Sequence, residues 1–187
     1  MVQTPSKPLT LEAFLQQPET KPASEYLDGR IVQKPMPKAA HSGIQTDLAA
    51  AINAALRPDK SGRAFSELRC TFGDRSIVPD IAILSWDSIP RNEEGMIAGD
   101  LFAAPDWMIE ILSPRQNQTV VMMKILRCLE NGTQMEWLID PAMKCVFSYT
   151  PTSAPISHIE ADQALPVPSF ASGFSLTLGE LINWLYE

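Results

Sequence analysis

Two short apolar runs, each carrying a single acid, constrain this chain more than any other feature. Val78-Pro79-Asp80 leads into Ile81-Ala82-Ile83-Leu84, and Glu110 is enclosed by Trp107-Met108-Ile109 and Ile111-Leu112. Their brevity, their β-branched residues and the flanking Pro79 and Ser113-Pro114 predict two buried strands. A bare carboxylate in such a strand is costly, so buried acids are paired, protonated or bound to a cation. Two strands that each offer one acid are suited to sharing a divalent metal.

The rest of the chain reads as one folded domain spanning 1–187, long enough for a real core. A formal net charge of -7 argues against broad nonspecific nucleic-acid binding, which needs clustered Lys and Arg, but leaves room for a local basic patch. Cys70, Cys128 and Cys145 are odd in number and widely spaced, which predicts reduced core thiols rather than a disulfide framework or a zinc site. Residues 1–8 lack the apolar core of a signal peptide, and no run approaches the roughly twenty apolar residues of a membrane span. A cytoplasmic protein is the simplest expectation.

Local signals place the elements. Thr10 caps a short helix carrying Leu11, Phe14 and Leu15, closed by Pro18. Asp28-Gly29 joins two strands, Glu25-Tyr26-Leu27 and Arg30-Ile31-Val32, as a two-residue hairpin turn with positive φ at both positions. Ser42 and Gln45 resemble a capping box for a helix bearing Ile44, Leu48, Ile52 and Leu56. Arg63 to Leu84 reads as a β-meander turning at Gly73-Asp74, followed by a polar connection from Asp87 to Ala104. A helix over 119–130 ends at Asn131-Gly132 and leads to strands at Glu136–Ile139 and Cys145–Tyr149. A Pro- and Ser-rich stretch, 150–172, precedes a last helix with Thr177 and Glu180 as its capping box.

The matching segments are Leu9 to Leu15, Glu25-Tyr26-Leu27-Asp28-Gly29, His41, Pro79-Asp80-Ile81-Ala82, Pro105-Asp106 with Glu110-Ile111-Leu112-Ser113-Pro114, Lys124, and Glu136-Trp137-Leu138-Ile139-Asp140-Pro141. In this order they resemble the Uma-two family of restriction-endonuclease-like proteins, within the PD-(D/E)XK nuclease superfamily. The resemblance implies an α/β restriction-endonuclease-like fold, a central mixed β-sheet flanked by helices, and metal-dependent cleavage of phosphodiesters. That chemistry uses a divalent cation to polarise phosphate and activate water, and Mg²⁺ prefers a few carboxylate oxygens plus waters. Asp80 and Glu110 are the expected ligands of Mg²⁺ or Mn²⁺. The superfamily's commonest pattern places a lysine two residues after the Glu, where this chain has Leu112. The Uma-two pattern puts it on the following helix, at Lys124, where it would stabilise transition-state charge or help deprotonate water. Glu25 resembles an additional acid of such sites, and His41 would touch phosphate or orient water.

Each residue has a plainer reading. Lys124, Arg127 and Glu130 also form a solvated row at three-residue spacing. Glu25 can face solvent at a hairpin start, and His41 can make only local hydrogen bonds at a helix entrance. Asp106 and Asp140, each beside proline, read as turn formers, and Trp107 and Trp137 as core. The chain departs from the family pattern at Val120-Val121-Met122-Met123, where polar residues and an acid are usual; losing that acid removes a hydrogen bond to the lysine or to metal-bound water. Two classes of function follow: a Mg²⁺-dependent endonuclease acting on DNA, or a catalytically degenerate nuclease-fold module binding nucleic acid or protein, with a homodimer possible through the meander and last helix.

Overall fold

The two acid-bearing runs lie side by side. In the computed structural model, which describes residues 9–114 and 116–186, Ile81–Ser85 (β6) and Trp107–Ile111 (β7) pair antiparallel, Ile81 opposite Ile109 and Ile83 opposite Trp107. With Gly62–Ser66 (β3), Met135–Asp140 (β8), Cys145–Thr150 (β9) and Ser153–His158 (β10) they form a six-stranded sheet of order β10-β9-β8-β7-β6-β3. Within it β7 and β8 run parallel, joined across the sheet by helix Gln118–Glu130 (α3), and the other neighbours are antiparallel. This is the expected mixed sheet flanked by helices.

Each face of the sheet has its own apolar layer, because alternate residues of a strand point to opposite sides. Ile81, Ile83, Trp107, Ile109, Trp137 and Ile139 pack against Ala39–Leu56 (α2), whose Ile44, Leu48, Ile52 and Leu56 recur every four residues. Burying each such side chain contributes on the order of 1.5–3 kcal/mol. Trp107 and Trp137 meet edge to face, ring centroids 4.9 Å apart, so both are core as expected. On the opposite face Ala82, Leu84, Met108 and Leu138 pack against Val121, Ile125 and Cys128 of α3. That layer is completed by a four-stranded antiparallel sheet, order β2-β1-β5-β4, made of Ser24–Leu27 (β1), Arg30–Gln33 (β2), Cys70–Phe72 (β4) and Arg75–Ile77 (β5).

Several caps and turns follow the sequence. Thr10 accepts from Ala13 at the start of Leu11–Leu15 (α1), and Thr177 with Glu180 closes a capping box on Leu178–Asn183 (α4). Asp28 and Gly29 both take positive φ, 48° and 79°, as a two-residue hairpin turn requires. Asp140 accepts from the amides of Ala142 and Met143, a turn-forming role.

Other readings are corrected. Helix α2 begins at Ala39 with Lys38 as its cap, so Ser42 and Gln45 lie inside the helix and no capping box forms there; Gln45 instead donates to the Asp80 carbonyl at 2.7 Å. The meander divides between two sheets: β4 and β5 join β1, while β3 pairs directly with β6. The Pro- and Ser-rich stretch contains β10, an edge strand whose first five residues are exposed and which tolerates Pro155. The apolar side of α4, Leu178, Leu181 and Ile182, is turned into the core. The expected absence of a signal peptide falls on residues 1–8, outside the described residues. No helix among the described residues is long and apolar enough to cross a membrane.

Candidate active site

The expected residues converge where β1, β6 and β7 meet α3. Asp80 immediately precedes β6, and its Oδ2 accepts the Ile111 amide at 2.7 Å, tying it to the strand that carries Glu110. Glu25 on β1 turns inward, and its Oε1 accepts both the Val78 amide and the Lys124 ammonium at 2.8 Å. Lys124 Nζ also stands 2.8 Å from Glu110 Oε1. Glu25, Asp80, Glu110, Lys124 and His41 are all buried. Lys124 lies three residues after Val121 and four before Cys128, on the buried side of α3, whereas Arg127 and Glu130 form an exposed ion pair beside it. The solvated-row reading thus holds for Arg127 and Glu130 but not for Lys124.

Two lysines, Lys124 and Lys34, hold this acidic cluster together, and Lys34 is not among the candidates read from the sequence. Lys34, just beyond β2, donates to Asp80 Oδ1 at 2.5 Å and to the Val78 carbonyl at 2.8 Å. His41 Nε2 stands 3.3 Å from the same Oδ1, while its Nδ1 bonds the Ser113 hydroxyl at 3.1 Å. A signal for Lys34 existed: Pro35 biases the preceding residue to extended backbone, so Lys34 continues the inward phase of Val32. Glu136, a strand residue in one of the matching segments and given no site role from the sequence, interrupts an apolar run as Glu110 does. It pairs with Met108 across β7 and β8 and therefore shares the face of Glu110.

The charge states follow from these contacts. Burial works against the ionised Asp80, but Lys34 and His41 outweigh it and hold the carboxyl well below the usual range. Burial dominates at Glu110, pushing it up to about 6 against the pull of Lys124 and Lys34. Lys124 is raised: burial disfavours its charge, but Glu110 and Glu25 more than compensate. Glu136 is pushed well above the ordinary carboxylate value, by burial first and then by the Glu110 charge, against a weaker pull from Lys124 and Cys128. Its surroundings favour the neutral, protonated form.

The site opens in two directions. A cleft of about 430 Å³ exposes the Asp80 side and is lined by Lys21, Lys34, His41, Arg69 and Ser113. A second, of about 270 Å³, reaches Glu25 and Lys124 between β2 and the start of α3. Lys34 and Gln116 line both. The donor set fits a hard divalent cation: Glu110 Oε2 is buried without a hydrogen-bond donor, and Oε1 has the Lys124 ammonium at 2.8 Å. No group of three ligating His, Cys, Asp or Glu side chains occurs among the described residues, so Asp80 and Glu110 would share such a cation with water.

Comparison with known proteins places the chain in a family. Residues 11–179 match the family model described as "Uma2: Putative restriction endonuclease". A crystal structure from Anabaena variabilis, described as a "putative nuclease belonging to DUF820", is 53% identical, with a TM-score of 0.93 over 95% of this chain and 99% of that one. No curated protein matches the chain.

Proposed function

The chain belongs to the Uma2 family, and on that premise we propose that it is a Mg²⁺- or Mn²⁺-dependent endonuclease that hydrolyses DNA. The family and the structural neighbour support a nuclease function; the cation, the substrate and the residue roles are the proposal. What carries it is Lys124, whose ammonium reaches both Glu25 and Glu110 at 2.8 Å from the helix after β7. That contact gives the site the cation which Leu112, at the commoner position, cannot supply.

Asp80 and Glu110 would hold the divalent cation, which when bound supplies polarisation of the phosphate and a more acidic water. Lys124 faces the same carboxylate and stabilises negative charge developing on the phosphoryl oxygens. Glu25 fixes the Lys124 ammonium and ties it to the Val78 amide, which pre-organises the lysine. His41, held by Ser113 and lining the larger cleft, is placed to contact the phosphate or orient water. The degenerate-module reading has one observation in its favour: Asp80 and Glu110 each already stand beside a lysine.

The test is cleavage of plasmid DNA with Mg²⁺, Mn²⁺ or chelator. Wild type should cut only with cation, and Asp80→Ala, Glu110→Ala and Lys124→Met should each lose at least about a hundredfold in rate. Full activity in Asp80→Ala would overturn the proposed site, and no cleavage by a folded wild type would move the protein to the non-catalytic class.

A further inference from the structure

We propose that Lys34 is a resident counter-cation that occupies Asp80 in the metal-free protein and sets the affinity of the site for its divalent cation. The inference rests on the metal site proposed above and concerns a residue to which that reading gives no role.

Asp80 is the acid most fully committed to partners. Its Oδ2 takes the Ile111 amide, and its Oδ1 takes the Lys34 ammonium at 2.5 Å with His41 Nε2 at 3.3 Å. A divalent cation ligated by Asp80 must therefore displace the ammonium or bind beside a like charge, and both weaken binding. The Val78 carbonyl, 2.8 Å from Nζ, anchors the lysine in the occupying position.

The surroundings allow exchange without rebuilding the fold. Lys34 begins the segment Lys34-Pro35-Met36-Pro37-Lys38, whose two prolines restrict the backbone between β2 and α2. The ammonium, by contrast, sits on a flexible four-carbon stem. Lys34 lines the cleft on the Asp80 side and also the one on the Glu25 and Lys124 side, so open space flanks it both ways. In the exchange the Nζ–H bonds to Asp80 Oδ1 and the Val78 carbonyl break, a metal–oxygen bond to Asp80 forms, and the ammonium keeps its proton. Lys124 differs: Glu25 and Glu110 grip it from two sides, so it stays beside the cation rather than making way for it.

The experiment is calorimetric titration of Mn²⁺ and Mg²⁺ into wild type, Lys34→Met, Lys34→Gln and Asp80→Asn, with thermal unfolding in chelator and in Mn²⁺. The Lys34 variants should bind cation roughly ten- to hundredfold more tightly than wild type. Their melting temperature should fall in chelator and rise further on adding Mn²⁺ than that of wild type. Lys34→Gln keeps a polar head against Val78 and serves if Lys34→Met does not fold. Equal or weaker binding by the Lys34 variants, with binding still lost in Asp80→Asn, overturns the counter-cation role and leaves the metal site standing. Absence of binding in every protein overturns the metal site and this inference with it.

Discussion

Glu110 and Glu136 are near neighbours, both pushed up by burial, yet only one has a cation in contact with it. Both interrupt apolar strands, β7 and β8 run parallel, and the register places the two carboxyls on one face of the sheet. Both are buried almost completely. Glu110 nevertheless stands beside Lys124 and within the influence of Lys34, whereas Glu136 has Cys128, Tyr149 and the Glu110 charge around it. The contrast teaches that burial alone does not make a site. A buried acid keeps an accessible charged state only where the fold brings cations into contact with it, and α3 and the end of β2 do so for Glu110 and Asp80, whereas Lys124 acts on Glu136 only from a distance.

The sharpest way to break this contrast is to remove the cation that creates it. Lys124→Met leaves Glu25 and Glu110 as uncompensated buried acids, and denaturant unfolding should show a loss of about 3–5 kcal/mol at neutral pH. A loss under about 1 kcal/mol would mean that the ion pairs do not hold the cluster together.

A smaller and opposite effect is expected at Glu136. Its folded-state proton affinity is raised above the ordinary value of about 4.5, so the native state binds more protons than the unfolded chain above that pH. Its contribution to stability therefore falls as pH rises from about 4.5 toward its folded value. Glu136→Gln removes that dependence: equal stability near pH 4, and a gain on the order of 2 kcal/mol by pH 8. Parallel unfolding curves of the two proteins across this range would refute the protonated-acid account. Cation affinity should change little, because Glu136 is not placed among the ligands.

The smallest effect belongs to the exposed neighbour of Lys124 on α3. Arg127→Ala breaks the ion pair with Glu130 and should leave melting temperature and cation affinity unchanged within error. A clear loss of cation affinity would extend the site onto the outer face of the helix.

Much of this was legible locally. Short apolar runs rich in β-branched residues marked β6 and β7, capping chemistry marked α1 and α4, and an acid inside an apolar strand marked Asp80 and Glu110. The same signal lay in Glu136-Trp137-Leu138-Ile139, and only the register on β7 shows that it shares the Glu110 face. Lys34 was harder, because its partners Val78 and Asp80 lie more than forty residues away and nothing local pairs it with them. The division of the meander into two sheets has the same origin: strand partners are chosen by which apolar face must be covered, and β4 and β5 cover the α3 side.

The most direct test of the central claim is calorimetric titration of wild type, Asp80→Ala and Glu110→Ala with Mn²⁺. A shared carboxylate site predicts saturable binding by wild type that disappears in both folded variants. Binding that survives in both, or no binding by wild type even with DNA present, would contradict it.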